Sequence, residues 1–434
     1  MAIYVKSYTL TLNTGSIGDP QNLTISGIGT PVAAEIFISS AVTNAIDTAH
    51  CMLGYGMIAG SSQACIVIAC ENGVNTSNSW TKCVNNAAVV TINPNTGVID
   101  GVATASLVTD GVQLTVQDLF PAAYIVTVVF YVGDFLCNVV TFDTDVDTNV
   151  QMGSGYRPDL IRGISTDGSL HGAFTAYAST AGQAIANFSV GIVARNWDGS
   201  GEKQYSFGFY SEDAIASGTG SSLYNGVYLH NSTFGYNADI NELGAGVSVV
   251  TTSTGVTISS VATNQCIGAF LAINFKGNHR VFASLASASV ANPYDLAAPF
   301  KPQFTFLDFV WATEVGVQAT DYGISFSLGF MGTGSPDDFV VGGRANNNSA
   351  SSSPTICGSH MISNFAVSLR TPLDALDTAG PTIDSADTRA TFSSFDWKKS
   401  VLNFVAAASS YEGFYVSIGP SIIPVVSHLN RHRR

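Results

Sequence analysis

Apolar and polar side chains alternate along most of this chain in short runs cut by glycine, proline, asparagine and aspartate. Tyr124 to Val132 and Thr305 to Trp311 are examples, rich in β-branched and aromatic residues. A period of two puts successive side chains on opposite faces, which is the mark of a strand. No amphipathic helix of convincing length is apparent: Ala291 to Ala298 is alanine-rich, but Pro293 and Pro299 confine it. The pattern predicts an all-β chain.

The order of these runs recurs three times. Each unit opens at a proline followed by apolar alternation: Pro31 into Glu35-Ile36-Phe37-Ile38, Pro158 into Leu160-Ile161, and Pro302 into Phe304-Thr305-Phe306. A glycine-centred strand follows, with Leu53-Gly54, Val190-Gly191-Ile192 and Leu328-Gly329-Phe330. A polar strand and loop come next. Two consecutive strands then close each unit, and the last ends at Gly133, Gly277 or Gly419, separations of 144 and 142 residues. Units this long exceed a solenoid repeat and match a whole sandwich domain. The expected architecture is three tandem antiparallel β-sandwich, jelly-roll-like domains. They are placed at 1–134, 135–285 and 286–420, with a basic tail at 421–434. Ala345 to Pro354 is of low complexity and reads as a loop.

Composition sharpens this. Charged residues make up only 11% of the 434 positions, with 42 glycines. So few charges suit a chain whose surface is largely Ser, Thr, Asn and Gly, or covered by partners. Lys and Arg number 17 against 31 Asp and Glu, a net charge of −14, which argues against nucleic acid as a partner. The most apolar stretch, Pro121 to Val140, is broken by Asp134 and reads as two strands, so no membrane partner is expected. The first residues carry no signal-peptide pattern. The seven cysteines form no C-x-x-C pair; most read as buried, with a disulfide within Cys51 to Cys83 as the alternative.

Candidate chemistry is sparse. Asp143 to Asn149 resembles the opening of a calcium loop but lacks its glycine and closing glutamate, so no metal is assigned. No nucleophile elbow, zinc-protease helix or phosphate loop is present. Glu71, Glu202, Glu212, Asp213, Glu242 and Glu314 read as exposed loop acids rather than a catalytic pair. No catalytic residue and no cofactor is assigned. Among the aromatic residues, Trp197 lies in a turn-like Trp-Asp-Gly-Ser-Gly, and Tyr210 and Tyr224 follow. These three are candidate contacts for a partner or a sugar. The C-terminal Arg431, Arg433 and Arg434 are candidates for docking on an acidic neighbour.

Gly155-Tyr156-Arg157-Pro158-Asp159-Leu160 and Phe188-Ser189-Val190-Gly191-Ile192 resemble motifs of tandem-sandwich structural proteins of tailed bacteriophages and prophages. The third unit keeps Pro302 and Phe326-Ser327-Leu328-Gly329-Phe330, with Gln303 in place of the acid; the first keeps only Pro31 and Leu53-Gly54. The resemblance implies a virion component, a head decoration, fibre or tail part, acting by attachment and display. Its implied partners are capsid or tail proteins and copies of itself, with a trimer as the expected closed symmetry. A receptor-binding protein or lectin for host glycans is the alternative, and a polysaccharide depolymerase the third reading.

Overall fold

The computed structural model describes residues 2–44, 46–74, 78–143, 156–167, 185–198, 201–212, 223–228, 233–234, 247–253, 255–260, 266–287, 293–310, 323–333, 338–346, 356–369, 388–406 and 412–421. Among them there are strands and turns and no helix.

The first third contains β1 (Ala2–Thr9), β2 (Pro20–Thr24), β3 (Ala33–Ser39), β4 (Thr48–Ala49), β5 (Cys51–Ala59), β6 (Ser62–Cys70), β7 (Ser79–Val84), β8 (Val89–Ile92), β9 (Ile99–Val108), β10 (Gly111–Asp118) and β11 (Ile125–Val132). The middle contains β12 (Leu136–Asp143), β13 (Leu160–Asp167), β14 (Ile185–Arg195), β15 (Glu202–Glu212), β16 (Leu223–Tyr228), β17 (Thr233–Phe234), β18 (Val247–Thr252), β19 (Gly255–Ser260) and β20 (Cys266–Asn274). The last third contains β21 (His279–Ser287), β22 (Tyr294–Ala297), β23 (Phe304–Val310), β24 (Gly323–Gly332), β25 (Phe339–Asn346), β26 (Ile356–Ser363), β27 (Val367–Leu369), β28 (Thr388–Asp396), β29 (Lys399–Ala406) and β30 (Glu412–Pro420).

Three large antiparallel sheets follow one plan: β1-β11-β3-β5-β6-β7, β12-β20-β13-β14-β15-β16, and β21-β30-β23-β24-β25-β26. A small sheet faces each: β2-β10-β9-β8, β17-β18-β19 and β22-β29-β28-β27. Each pair is a sandwich with its own apolar filling. In the first, Ile36, Ile38, Val67, Val90, Leu114 and Phe130 meet between the sheets. The two closing strands of each unit do not pair with each other. β10 lies in the small sheet and β11 in the large one, and β19/β20 and β29/β30 repeat this.

The glycine-centred strand has a steric cause. A Cβ on Gly56 of β5 would fall 1.7 Å from the Ala88 carbonyl oxygen, where the chain enters β8. A Cβ on Gly329 of β24 would fall 2.0 Å from the Ala366 carbonyl oxygen, where it enters β27. The glycine therefore lets the small sheet approach the large one. The counterpart of Gly329 in the first unit is Gly56, two residues beyond the Gly54 that sequence alignment suggests.

The three sandwiches are not beads on a string. The outer faces of the large sheets pack on one another around one shared core, to which Phe37, Val129, Ile164, Phe188, Phe306 and Val416 contribute. The contacts run in a ring. β12 crosses β5 and β6, β21 crosses β14 and β15, and β1 crosses β24 and β25. The first strand of each unit thus lies over the fourth and fifth strands of the preceding large sheet, and the third unit closes back on the first. β4 adds to the edge of β26, and Ser359 accepts from the Met52 amide at 2.7 Å, which stitches that closure. Such sheets are covered on both faces, so β3, β5 and β23 are buried at every position rather than alternately. β21 hydrogen-bonds to β30, so the third sheet begins at His279, ahead of the sequence-based division at 285/286.

Cys51, Cys65, Cys70 and Cys83 are buried thiols, and no disulfide joins them. Cys51 and Cys70 are cross-strand partners in β5 and β6, and Cys70 Sγ accepts from the Ser79 hydroxyl at 3.7 Å.

Candidate functional site

The most unusual group of side chains lies in the shared core. Glu35 on β3, Arg162 on β13 and Asp308 on β23 come from the equivalent strand of each large sheet, and all three are wholly buried. Arg162 Nη1 donates to both Glu35 oxygens at 3.2 Å, and Nη2 donates to the Asp308 oxygens at 3.2 and 3.3 Å. Tyr131 donates its hydroxyl to Glu35 at 2.9 Å, and Tyr55 donates to the other Glu35 oxygen. The guanidinium carbon sits 4.4 Å from the Phe306 ring centre and 5.4 Å from those of Phe37 and Phe330. Arg162 Nε has no hydrogen-bond partner among the described residues.

This cluster carries one cation against two carboxylates. Burial pushes the Asp308 carboxyl up to about 6, against the opposing pull of Arg162. Burial works against the Arg162 charge, but the surrounding Tyr55, Glu35, Asp308 and Tyr131 outweigh it and hold the guanidinium charged. Burial likewise raises the Tyr55 and Tyr131 hydroxyls well above their usual value, so both remain donors. A site sealed on every side cannot receive a substrate. Its chemistry is that of a three-way clasp between sheets.

A second buried group closes the ring. Asp47, in the segment between β3 and β4, reaches into the third unit, where Arg344 Nη2 donates to its Oδ2 at 2.7 Å. His360 Nδ1 stands 3.4 Å from Asp47 Oδ1, and its Nε2 lies 3.3 Å from the Ser368 carbonyl oxygen.

The Tyr-Arg-Pro-Asp-Leu motif is structural as well. Asp159 accepts from the Phe275 amide at 2.8 Å and pairs with Arg195 at 2.6 Å, tying the start of β13 to the ends of β20 and β14. Arg157 donates to Glu202 at 3.0 Å, which assigns that acid a packing partner.

At the surface, Trp197 lies in the turn between β14 and β15, 42% exposed, with the Arg280 guanidinium 5.0 Å from its ring centre. Tyr210 and Tyr224 are cross-strand partners in β15 and β16. Tyr210 is eight residues into β15 from Glu202, roughly 26 Å along the strand from the turn that holds Trp197. The backbone of Tyr210 and Tyr224 is therefore remote from that turn. Trp80 is half-buried and donates to the Pro94 carbonyl at 2.8 Å. Trp311, Arg431, Arg433, Arg434 and most of the calcium-like Asp143 to Asn149 lie outside the described residues. Sequence reasoning missed the clasp, because Glu35, Arg162 and Asp308 share no local motif. A charged residue inside an otherwise apolar strand was its one available signal.

Comparison with models of known protein families and with curated proteins finds no match for this chain.

Proposed function

We propose that this chain is a structural component of a tailed-phage particle, fixed by protein–protein attachment and acting in display rather than catalysis. The observation that carries the reading is the ring of three sandwiches clasped by Glu35, Arg162 and Asp308. A body closed on a shared core resists bending between its parts, which suits a mounted spacer. The charge-poor composition agrees with a chain that meets other proteins over much of its surface. The sandwiches do not reach outward separately, so attachment and display fall to different faces of one body. Gold-labelled antibody on purified particles is expected to mark a fixed position. Particles that lack the chain by mass spectrometry, while the lysate contains it, would sink the reading.

Exposed Trp197 over Arg280 favours a second reading, recognition of host glycans by stacking with a cation beside the ring. A glycan array separates the two. Binding that Trp197→Ala abolishes supports recognition; an array blank for both proteins removes it.

A further inference from the structure

We propose that the ring opens and recloses along one line, the seam between the third unit and the first, and that the segment from Asp47 to His50 is the strap that locks it. The inference is independent of the virion reading, since it concerns only how the body is held shut.

Chain connection marks the line. β11 passes to β12 through Gly133, Asp134 and Phe135, and β20 passes to β21 through Phe275, Lys276, Gly277 and Asn278. These two linkers are fastened to each other. Lys276 pairs with Asp134, and the Phe135 ring stands edge-on to Phe275 at 5.2 Å and to His279 at 5.7 Å. Short linkers joined in this way make a hinge. No linker runs from β30 back to β1.

The central clasp divides in the same way. Arg162 of the second unit holds Glu35 of the first and Asp308 of the third. It bonds the second unit to each neighbour and leaves the first and third as acid against acid. Burial raises the Asp308 carboxyl most, and the charge on Glu35 raises it further, against the pull of Arg162. The seam between these two units therefore needs a bond of its own.

The strap supplies it. Thr48 and Ala49 pair with Ser359 and Gly358 on the edge of β26. Asp47 is wholly buried and accepts from Arg344 at 2.7 Å. The Ser359 hydroxyl lies 3.1 Å from the carbonyl oxygens of both His50 and Met52. His50 has a φ of 73°, a left-handed conformation uncommon for a residue with a side chain, so bonds to the third unit hold the strap in a strained turn. Behind the strap the seam is largely apolar. The Phe37 and Phe330 ring centres are 4.9 Å apart, and the Thr127 hydroxyl donates to Met361 Sδ at 3.8 Å. Apolar contact is non-directional and can part and re-form, whereas Arg344 is costly to leave buried without its anion.

Two native thiols report the opening. Cys51 lies at the seam, where a Cβ on Gly343 of β25 would fall 2.9 Å from its Sγ. Cys65 lies in the filling of the first sandwich, and both are buried. The test is iodoacetamide labelling of the full chain in native buffer, read by peptide mass. Cys51 is expected to react ahead of Cys65, because parting the seam leaves the sandwich intact. Asp47→Asn removes the charge that balances Arg344, and is expected to speed Cys51 by about tenfold or more with Cys65 unchanged. Arg195→Ala breaks a pair inside the second unit and is expected to change neither. Oxidation of Met361 by hydrogen peroxide is expected to quicken with Cys51, since a strap that lifted alone would leave Met361 covered. Cys51 reacting no faster than Cys65 in the wild type overturns the proposal. So does Asp47→Asn speeding both thiols alike, Arg195→Ala speeding Cys51 as much as Asp47→Asn does, or Met361 staying protected while Cys51 reacts. Should Asp47→Asn fail to fold, the order of Cys51, Met361 and Cys65 in the wild type decides.

Discussion

The core inside the first sandwich and the core shared by all three sandwiches use the two faces of the same strands, yet they differ in kind. On β3, Ile36 and Ile38 face the small sheet among apolar neighbours only. On its other face, Glu35 meets Arg162 and Asp308 from the other large sheets. Apolar burial is non-directional and roughly proportional to area, so it glues sheets without fixing how they meet. A guanidinium held between two carboxylates has few acceptable geometries, and leaving it unpaired is costly. The comparison teaches that apolar filling builds each sandwich, while the clasp sets which three strands face one another. Three identical chains around an axis could not supply one arginine and two acids. Three unlike units in one chain can.

The largest test of that contrast is Arg162→Ala. It leaves Glu35 and Asp308 buried without their cation and is expected to cost about 3–5 kcal/mol in urea unfolding. Replacing Glu35, Arg162 and Asp308 together by Leu, Met and Leu is expected to restore or exceed wild-type stability. If the single and triple variants unfold alike, the clasp is not an electrostatic unit. Leu114→Ala, in the first sandwich alone, should cost about 2–5 kcal/mol by leaving a cavity. It should do so equally at every pH.

The clasp should differ in this respect. The Asp308 carboxyl is held near 6, above its unfolded value of about 4, so the folded chain binds a proton that the unfolded chain has released between those values. Its contribution is fully present below pH 4 and is lost as pH rises through 6. The expected loss is on the order of 2–3 kcal/mol, and Asp308→Asn should flatten that window. A stability profile identical in wild type and variant would show that Asp308 does not titrate there. The smallest effect is expected at the surface: Lys399→Ala removes an exposed pair with Asp295 and should leave the unfolding midpoint unmoved.

Much of the fold was legible in the residues. The strand runs read at Tyr124 to Val132 and Thr305 to Trp311 contain β11 from Ile125 and most of β23, up to Val310, because β-branched and aromatic side chains favour a pleated surface whatever lies across it. The closing strands at Gly133, Gly277 and Gly419 occupy the same place in all three sheets. The site was far less legible. Trp197 was found at the surface from its turn-like neighbours, but its partner Arg280 is remote in sequence. Trp397, more exposed than Trp197, sits in a turn that local pattern does not distinguish.

By itself, then, the sequence determined the local plan: which segments are strands and their order in three similar units. These follow from side-chain shape and from a period of two, both properties of neighbours along the chain. Only the tertiary structure decided that the units share one core, that Glu35, Arg162 and Asp308 meet within it, and that Asp47 reaches Arg344. Those pairings span more than a hundred residues, and a charge pair across such a distance exists only once the intervening sheets have packed.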